Sequence, residues 1–267
     1  MAKFSFILVE RPEAFGNFAN LEEALRRLKA LGYQGVELNL VGPAGFALDE
    51  LARAAQAVEL PVVSFLTGLN YFDEGLCLSS PQAGVRQRAV ERLADYTAIA
   101  ALFGAVLVIG QMQGFQSDEP DRALGEGRIE ECLKRVAEAA ERNGAHVVLE
   151  PVNHLQAGFN NTLGDVLALV ECIRSDCLRP MLDSFHMNIE ERSLTEAIYR
   201  AGRDLGHFHL CESNGSSLGS GHLDFKVIVG ALNAIGYTGY TSIKVYRQPW
   251  AVAAEASLRH LHGCLLT

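Results

Sequence analysis

Short apolar runs alternate along the chain with longer stretches whose apolar positions recur every three or four residues. The short runs predict strands over residues 4–9, 36–39, 61–66, 105–109, 146–150, 181–183, 205–209 and 241–245. The longer stretches predict helices over 21–31, 48–58, 85–103, 129–142, 163–175, 194–202, 225–235 and 252–265. Punctuation agrees with the pattern. Glu10-Arg11-Pro12 ends the first strand, Asn20 and Ser193 are placed to cap helices, and Gly32 stands where a helix closes.

Strictly alternating strands and helices imply parallel strands joined by right-handed crossovers. Eight such units in 267 residues favour a closed (β/α)8 barrel over an open doubly wound sheet. The open alternative calls for a G-x-G-x-x-G turn after the first strand, and none is present. No low-complexity segment or basic tail interrupts the repeat, so a single domain over 1–267 is expected. The longest connection, 67–84, carries Asn70, Tyr71, Phe72 and Asp73 and is expected to lie over the barrel mouth.

The bulk properties narrow the function classes. Hydrophobic residues make up 49% of the chain, enough to fill a large core. A net charge of −9 argues against nucleic-acid binding, which needs clustered Lys and Arg. The six cysteines are scattered without C-x-x-C spacing and read as reduced thiols. The N-terminal apolar run is too short for a signal peptide, and no apolar stretch approaches the roughly 18 residues of a membrane span. A cytoplasmic protein without a membrane partner is expected.

Chemistry concentrates where strands end. In a barrel of this kind the active site lies at the C-terminal mouth of the strands. Glu150 shares a face with Val148 while Val147 and Leu149 share the other, which turns Glu150 inward. His207 and His209 flank Phe208, so both imidazoles point to one side. Ile243 and Val245 alternate with Lys244 and turn the lysine inward too. Glu37 points inward on the second strand by the same parity and is assigned no chemistry. The run Met181 to Glu191 sets Asp183 and His186 at a strand end. The bland alternatives are an Asp183 that caps a turn and a His186 that is a satisfied loop histidine. Two carboxylates and an imidazole, Glu150, Asp183 and His209, have the composition of a site for Mn²⁺, Mg²⁺, Co²⁺ or Zn²⁺.

The segments LEPVNH (149–154), NT (161–162), MLDSFHMNIEE (181–191), HFHLCESN (207–214) and GSGHLDF (219–225) resemble the xylose isomerase-like TIM-barrel superfamily. Within it, the ketose 3-epimerase and hydroxypyruvate isomerase group is most similar. The resemblance implies a sugar isomerase or epimerase acting on a ketose or a small hydroxy-keto acid. It also implies one divalent ion held by Glu150, Asp183, His209 and a fourth carboxylate. That fourth position falls on Lys244, which cannot ligate while protonated. Gln156 stands where the epimerases usually carry Glu, and Gly215 lies near the place of an arginine.

The implied chemistry is removal of a proton next to a carbonyl to give an enediolate, with Glu150 as base and His186 donating to a substrate oxygen. Two readings of Lys244 stay open. It acts as the second acid/base, or its ammonium stands where the ion would be. Asn153, His222 and Glu212 are candidate substrate contacts, the last two with a loop-ordering role as the alternative. Trp250 is expected to pack on the barrel rim or against a second subunit, a homo-oligomer being common in such proteins. Two rival functions are a sugar-binding barrel that has lost catalysis and an abasic-site endonuclease. The latter needs more His and Glu ligands and DNA contacts than this acidic chain offers.

Overall fold

The structure, a computed structural model, describes residues 3–9, 18–42 and 47–265. In chain order the elements are β1 (Lys3–Leu8), α1 (Phe18–Leu31), β2 (Gly35–Asn39), α2 (Leu48–Val58), β3 (Val62–Leu66), α3 (Leu69–Glu74), α4 (Ala83–Phe103) and β4 (Val106–Ile109). They continue with α5 (Arg122–Asn143), β5 (His146–Leu149), α6 (Leu163–Ile173), β6 (Leu178–Asp183), α7 (Ser184–Glu190), α8 (Leu194–Ala201), β7 (His207–Cys211), α9 (Phe225–Ala234), β8 (Tyr240–Lys244) and α10 (Trp250–Leu265). The strands follow one another from β1 to β8 in a closed barrel, the architecture the alternation implies.

Local chemistry explains most boundaries. Asp121, Thr162, Ser193 and Asp224 each cap a helix by accepting a backbone N–H from its first turn. Thr162 and Asp165 complete a capping box. The Gly32 N–H bonds back to Lys29 where α1 ends.

Several boundaries differ from the sequence expectations. Asn20 lies inside α1 rather than capping it. The fifth helix starts at Arg122 because Asp121 supplies a cap upstream of the strongest apolar period. The connection 67–84 contains α3, and β6 begins at Leu178 with Pro180 inside it, paired with Leu149 of β5. Glu10-Arg11-Pro12 lies outside the described residues.

The described chain falls into two compact parts. One holds β4 and β5 with most of β3 and β6, and the other holds β1, β2, β7 and β8. In the first, Val108 stands level with Val148, and both join Met181 in a buried cluster flanked by Leu66 and Val106. Each fully buried aliphatic side chain contributes about 1.5–3 kcal/mol. In the second, β1 pairs with both β2 and β8, setting Ser5 level with Gly35 and with Ser242, while His209 of β7 stands level with Ser242. Besides its apolar residues this part buries the polar groups Ser5, Glu37, His207, His209, Ser242 and Lys244. Burying polar groups is costly unless they satisfy one another, which makes these residues candidates for chemistry. Among the described residues no helix is long and apolar enough to cross a membrane.

Candidate active site

Asp183 is the last residue of β6 and the N-cap of α7, and the two roles divide its carboxylate. Oδ1 accepts the Phe185 N–H at 2.8 Å, which fixes the plane of the group. Oδ2 is left facing three nitrogens: Lys244 Nζ at 3.0 Å, His209 Nδ1 at 3.5 Å and His186 Nε2 at 4.0 Å. The turn-capping reading of Asp183 therefore holds. Full burial opposes ionisation, but the Lys244 ammonium and the imidazoles of His186 and His209 outweigh it. Together they hold the carboxyl well below the usual carboxylate range.

Lys244 ends β8 with its side chain turned inward, 8% exposed. A buried ammonium needs a counter-charge, and Asp183 supplies it. The ammonium also lies over the Tyr246 ring, 5.4 Å from its centroid. Tyr246 in turn meets Phe185 edge-on at 6.0 Å, so α7 and the end of β8 are tied together around the ion pair.

His209 is held from its other side by Glu37. Its Nε2 lies 3.1 Å from Glu37 Oε2, while Glu37 Oε1 is hydrogen-bonded to His207 Nε2 and accepts from Ser242 Oγ at 2.6 Å. Ser242 continues the chain to Ser5 Oγ at 2.6 Å. Burial raises the Glu37 carboxyl's tendency to protonate, yet His209 and His207 keep it ionised and well below its ordinary range. Sequence reasoning gave Glu37 no role. Its inward parity between Val36 and Leu38 was the signal, and His207 and His209 are the partners that explain it. Glu37, His207 and His209 place ligand-type atoms within 4.8 Å of one another, a buried set able to hold a divalent ion.

Glu150 and Asn153 belong to the other compact part. Glu150 directly follows β5 and is 5% exposed, its N–H donating to the Ile109 carbonyl at 2.9 Å and its own carbonyl accepting from Gln113 Nε2 at 2.9 Å. Gly110 makes room for its carboxylate, since a methyl group there would overlap Glu150 Oε2. Asn153 is fully buried, and its Oδ1 accepts the Leu155 N–H at 3.1 Å.

The loop after β7 is built on Glu212. One carboxylate oxygen accepts from Ser213 N, Ser213 Oγ and Leu223 N, and the other accepts from Gly219 N at 2.9 Å. Those bonds outweigh burial and lower its pKa, the mark of a loop-ordering carboxylate. His222 stands exposed on the same loop and meets Asn188 Oδ1 of α7 at 3.2 Å. Trp250 opens α10 and stacks under the Arg27 guanidinium, 5.7 Å from the ring centroid.

Residues 25–264 match the family model described as xylose isomerase-like TIM barrel. The chain belongs to that family. An L-ribulose 3-epimerase of Mesorhizobium japonicum is 32% identical to this barrel over 85% of the chain and 76% of its own length. A 3-dehydro-D-guloside 4-epimerase of Escherichia coli is 27% identical over 92% of the chain and 95% of its own length. A solved structure of an L-ribulose 3-epimerase superposes with a TM-score of 0.86 at 27% identity, covering 100% of this chain and 95% of that one.

Against the ligand set that the xylose isomerase-like resemblance implies, two features of this barrel fit and one does not. Asp183 Oδ2 and His209 Nδ1, 3.5 Å apart, have the separation of two ligands on one ion with bonds of about 2.0–2.2 Å. Lys244 breaks the set. Its nitrogen sits 3.0 Å from the oxygen that the ion would share, and it brings positive charge where the fourth ligand should bring negative. Protonated, Lys244 does not supply the fourth ligand of that set.

Proposed function

We propose that this xylose isomerase-like barrel is a ketose epimerase or isomerase that removes the proton next to a substrate carbonyl. The observation that carries the reading is the gathering of Lys244, His209 and His186 about one buried oxygen of Asp183, in a chain similar over most of its length to 3- and 4-epimerases of sugars. A small ketose such as L-ribulose, or a small hydroxy-keto acid, is the substrate class.

Glu150, which follows the strand paired with β6, is the base in this reading. It takes the proton from carbon, the C–H electron pair moves into the carbonyl, and an enediolate forms. His186 donates to a substrate oxygen, and Lys244 balances the charge that develops. Asp183 and His209 hold the positively charged side of the site, and Asn153 and His222 are assigned as substrate contacts. His154 and Gln156 stand where the epimerases usually carry Arg and Glu, and Gly215 lies near the place of a further arginine. At Gly215 φ is +71°, and a Cβ would stand 3.2 Å from Tyr246, so a larger side chain there would be strained. The six free cysteines suit a reducing cytoplasm.

The test is incubation with ketopentoses and ketohexoses in D₂O, followed by NMR. Solvent deuterium at a carbon beside the carbonyl, with a new epimer or aldose, is the expected result, and Glu150→Gln abolishes both. Tight binding of a ketose without any exchange would favour the sugar-binding barrel instead.

A further inference from the structure

We infer that the Lys244 ammonium is the resident cation of this site, so the reaction runs without a divalent ion at Asp183. The inference deepens the ketose epimerase or isomerase reading and rests on it. It decides between the two roles that the sequence leaves open for Lys244, cation rather than acid/base.

The geometry around Asp183 is that of a cation site already filled. Oδ2 points away from the helix cap that engages Oδ1, and Lys244 Nζ approaches it at 3.0 Å. His209 Nδ1 stands 3.5 Å from the same oxygen. A divalent ion bonded to Oδ2 at about 2.1 Å would lie against the ammonium, and like charges at that range repel strongly in a buried site. The lysine is already engaged. Asp183 is its buried anion, and the Tyr246 ring covers it as a second cation-binding surface. The pair is fully inside the protein on the Asp183 side and nearly so on the lysine side, so expelling the ammonium would break a buried charge pair.

An ammonium can serve the chemistry that needs a cation there. It is a compact charge with three N–H donors, of which Asp183 accepts one. When the proton leaves carbon for the base, the negative charge that appears on the former carbonyl oxygen is met by a positive charge already in place. Return of the proton to carbon regenerates the carbonyl, so no electrons are gained or lost and no co-reactant is consumed. His209 is held from its other side by Glu37, 3.1 Å away.

Two measurements on the purified full chain test this. The first reads metal directly. Elemental analysis and calorimetric titration with Mn²⁺ should find no stoichiometric ion on the wild type, while Lys244→Glu should bind Mn²⁺ at least about tenfold more tightly, because a repulsive charge becomes a ligand. The second reads solvent exchange on a ketose before and after EDTA. Wild-type exchange should stay within about twofold, and the exchange of Lys244→Glu should fall with EDTA and return with Mn²⁺. One ion per wild-type chain that is lost on Asp183→Asn, or loss of wild-type exchange with EDTA, overturns the inference. If Lys244→Glu does not fold, the wild-type titration still decides. If no ketose exchanges at all, the proposed activity fails, and the metal measurement still judges Lys244 by itself.

Discussion

Single residues in this barrel do two jobs each, and substitutions separate them. Asp183 caps α7 through one oxygen and pairs with Lys244 through the other. Asp183→Asn keeps a good cap and removes the charge, whereas Asp183→Ala removes both. Loss of the buried partner costs about 3–5 kcal/mol, and loss of the cap about 1 kcal/mol more. Urea unfolding should therefore rank the alanine variant below the asparagine variant, and Asp183→Asn with Lys244→Met should recover most of the charge-related loss. Glu37 acts through His209. Glu37→Gln should lower kcat about 10–100-fold with little change in KM, the size seen when a carboxylate orienting a functional histidine is removed. Equal kinetics for that variant would leave Glu37 a purely structural group. Much at this scale was legible from parity: Glu150, His209 and Lys244 were placed inward by their apolar neighbours. The Glu37 partnership was not, because parity fixes the side a residue faces and not which distant strand meets it.

At the scale of elements, the alternation of apolar runs and helical periods pointed to the closed parallel barrel, and Ser193 marked the start of α8, while Asn20 lies inside α1. The errors fell where a cap overrode periodicity. Asp121 starts α5 ahead of the apolar repeat, and the strand-end run 184–190 winds into α7. The loop after β7 depends on Glu212, whose burial was invisible in a stretch rich in Ser and Gly. Its bonds to Ser213, Gly219 and Leu223 hold its pKa below the ordinary value. A depressed carboxyl stabilises above its unfolded pKa, and that stability is lost as pH falls through the folded value. Glu212→Gln should thus cost about 1–3 kcal/mol near neutrality, with the gap to wild type narrowing on acidification below about pH 4. Thermal unfolding across pH checks it, and a gap that widens toward acid would contradict the assignment.

At the largest scale, Val108, Val148 and Met181 form an aliphatic cluster in one compact part, while the other contains a connected buried polar chain from Ser5 through Ser242 and Glu37 to His209 and Asp183. Met181→Ala should therefore act on stability alone, by about 2–5 kcal/mol, and leave exchange per folded molecule unchanged. A matching loss of activity in folded protein would show that the apolar part also shapes the chemistry. The family, the barrel and the strand-end residues could all be inferred from the chain. What could not was how Lys244 is used, since a lysine at a ligand position is equally compatible with a base, a lost function and a substitute charge until its distance to Asp183 is known.

That distance leads to the most direct measurement, a crystal structure from protein grown in excess Mn²⁺ with data collected for anomalous scattering. The account predicts Lys244 Nζ in hydrogen-bond contact with Asp183 Oδ2 and no anomalous peak between Asp183 and His209. A strong peak about 2.1 Å from both side chains, with Lys244 swung away, would contradict it.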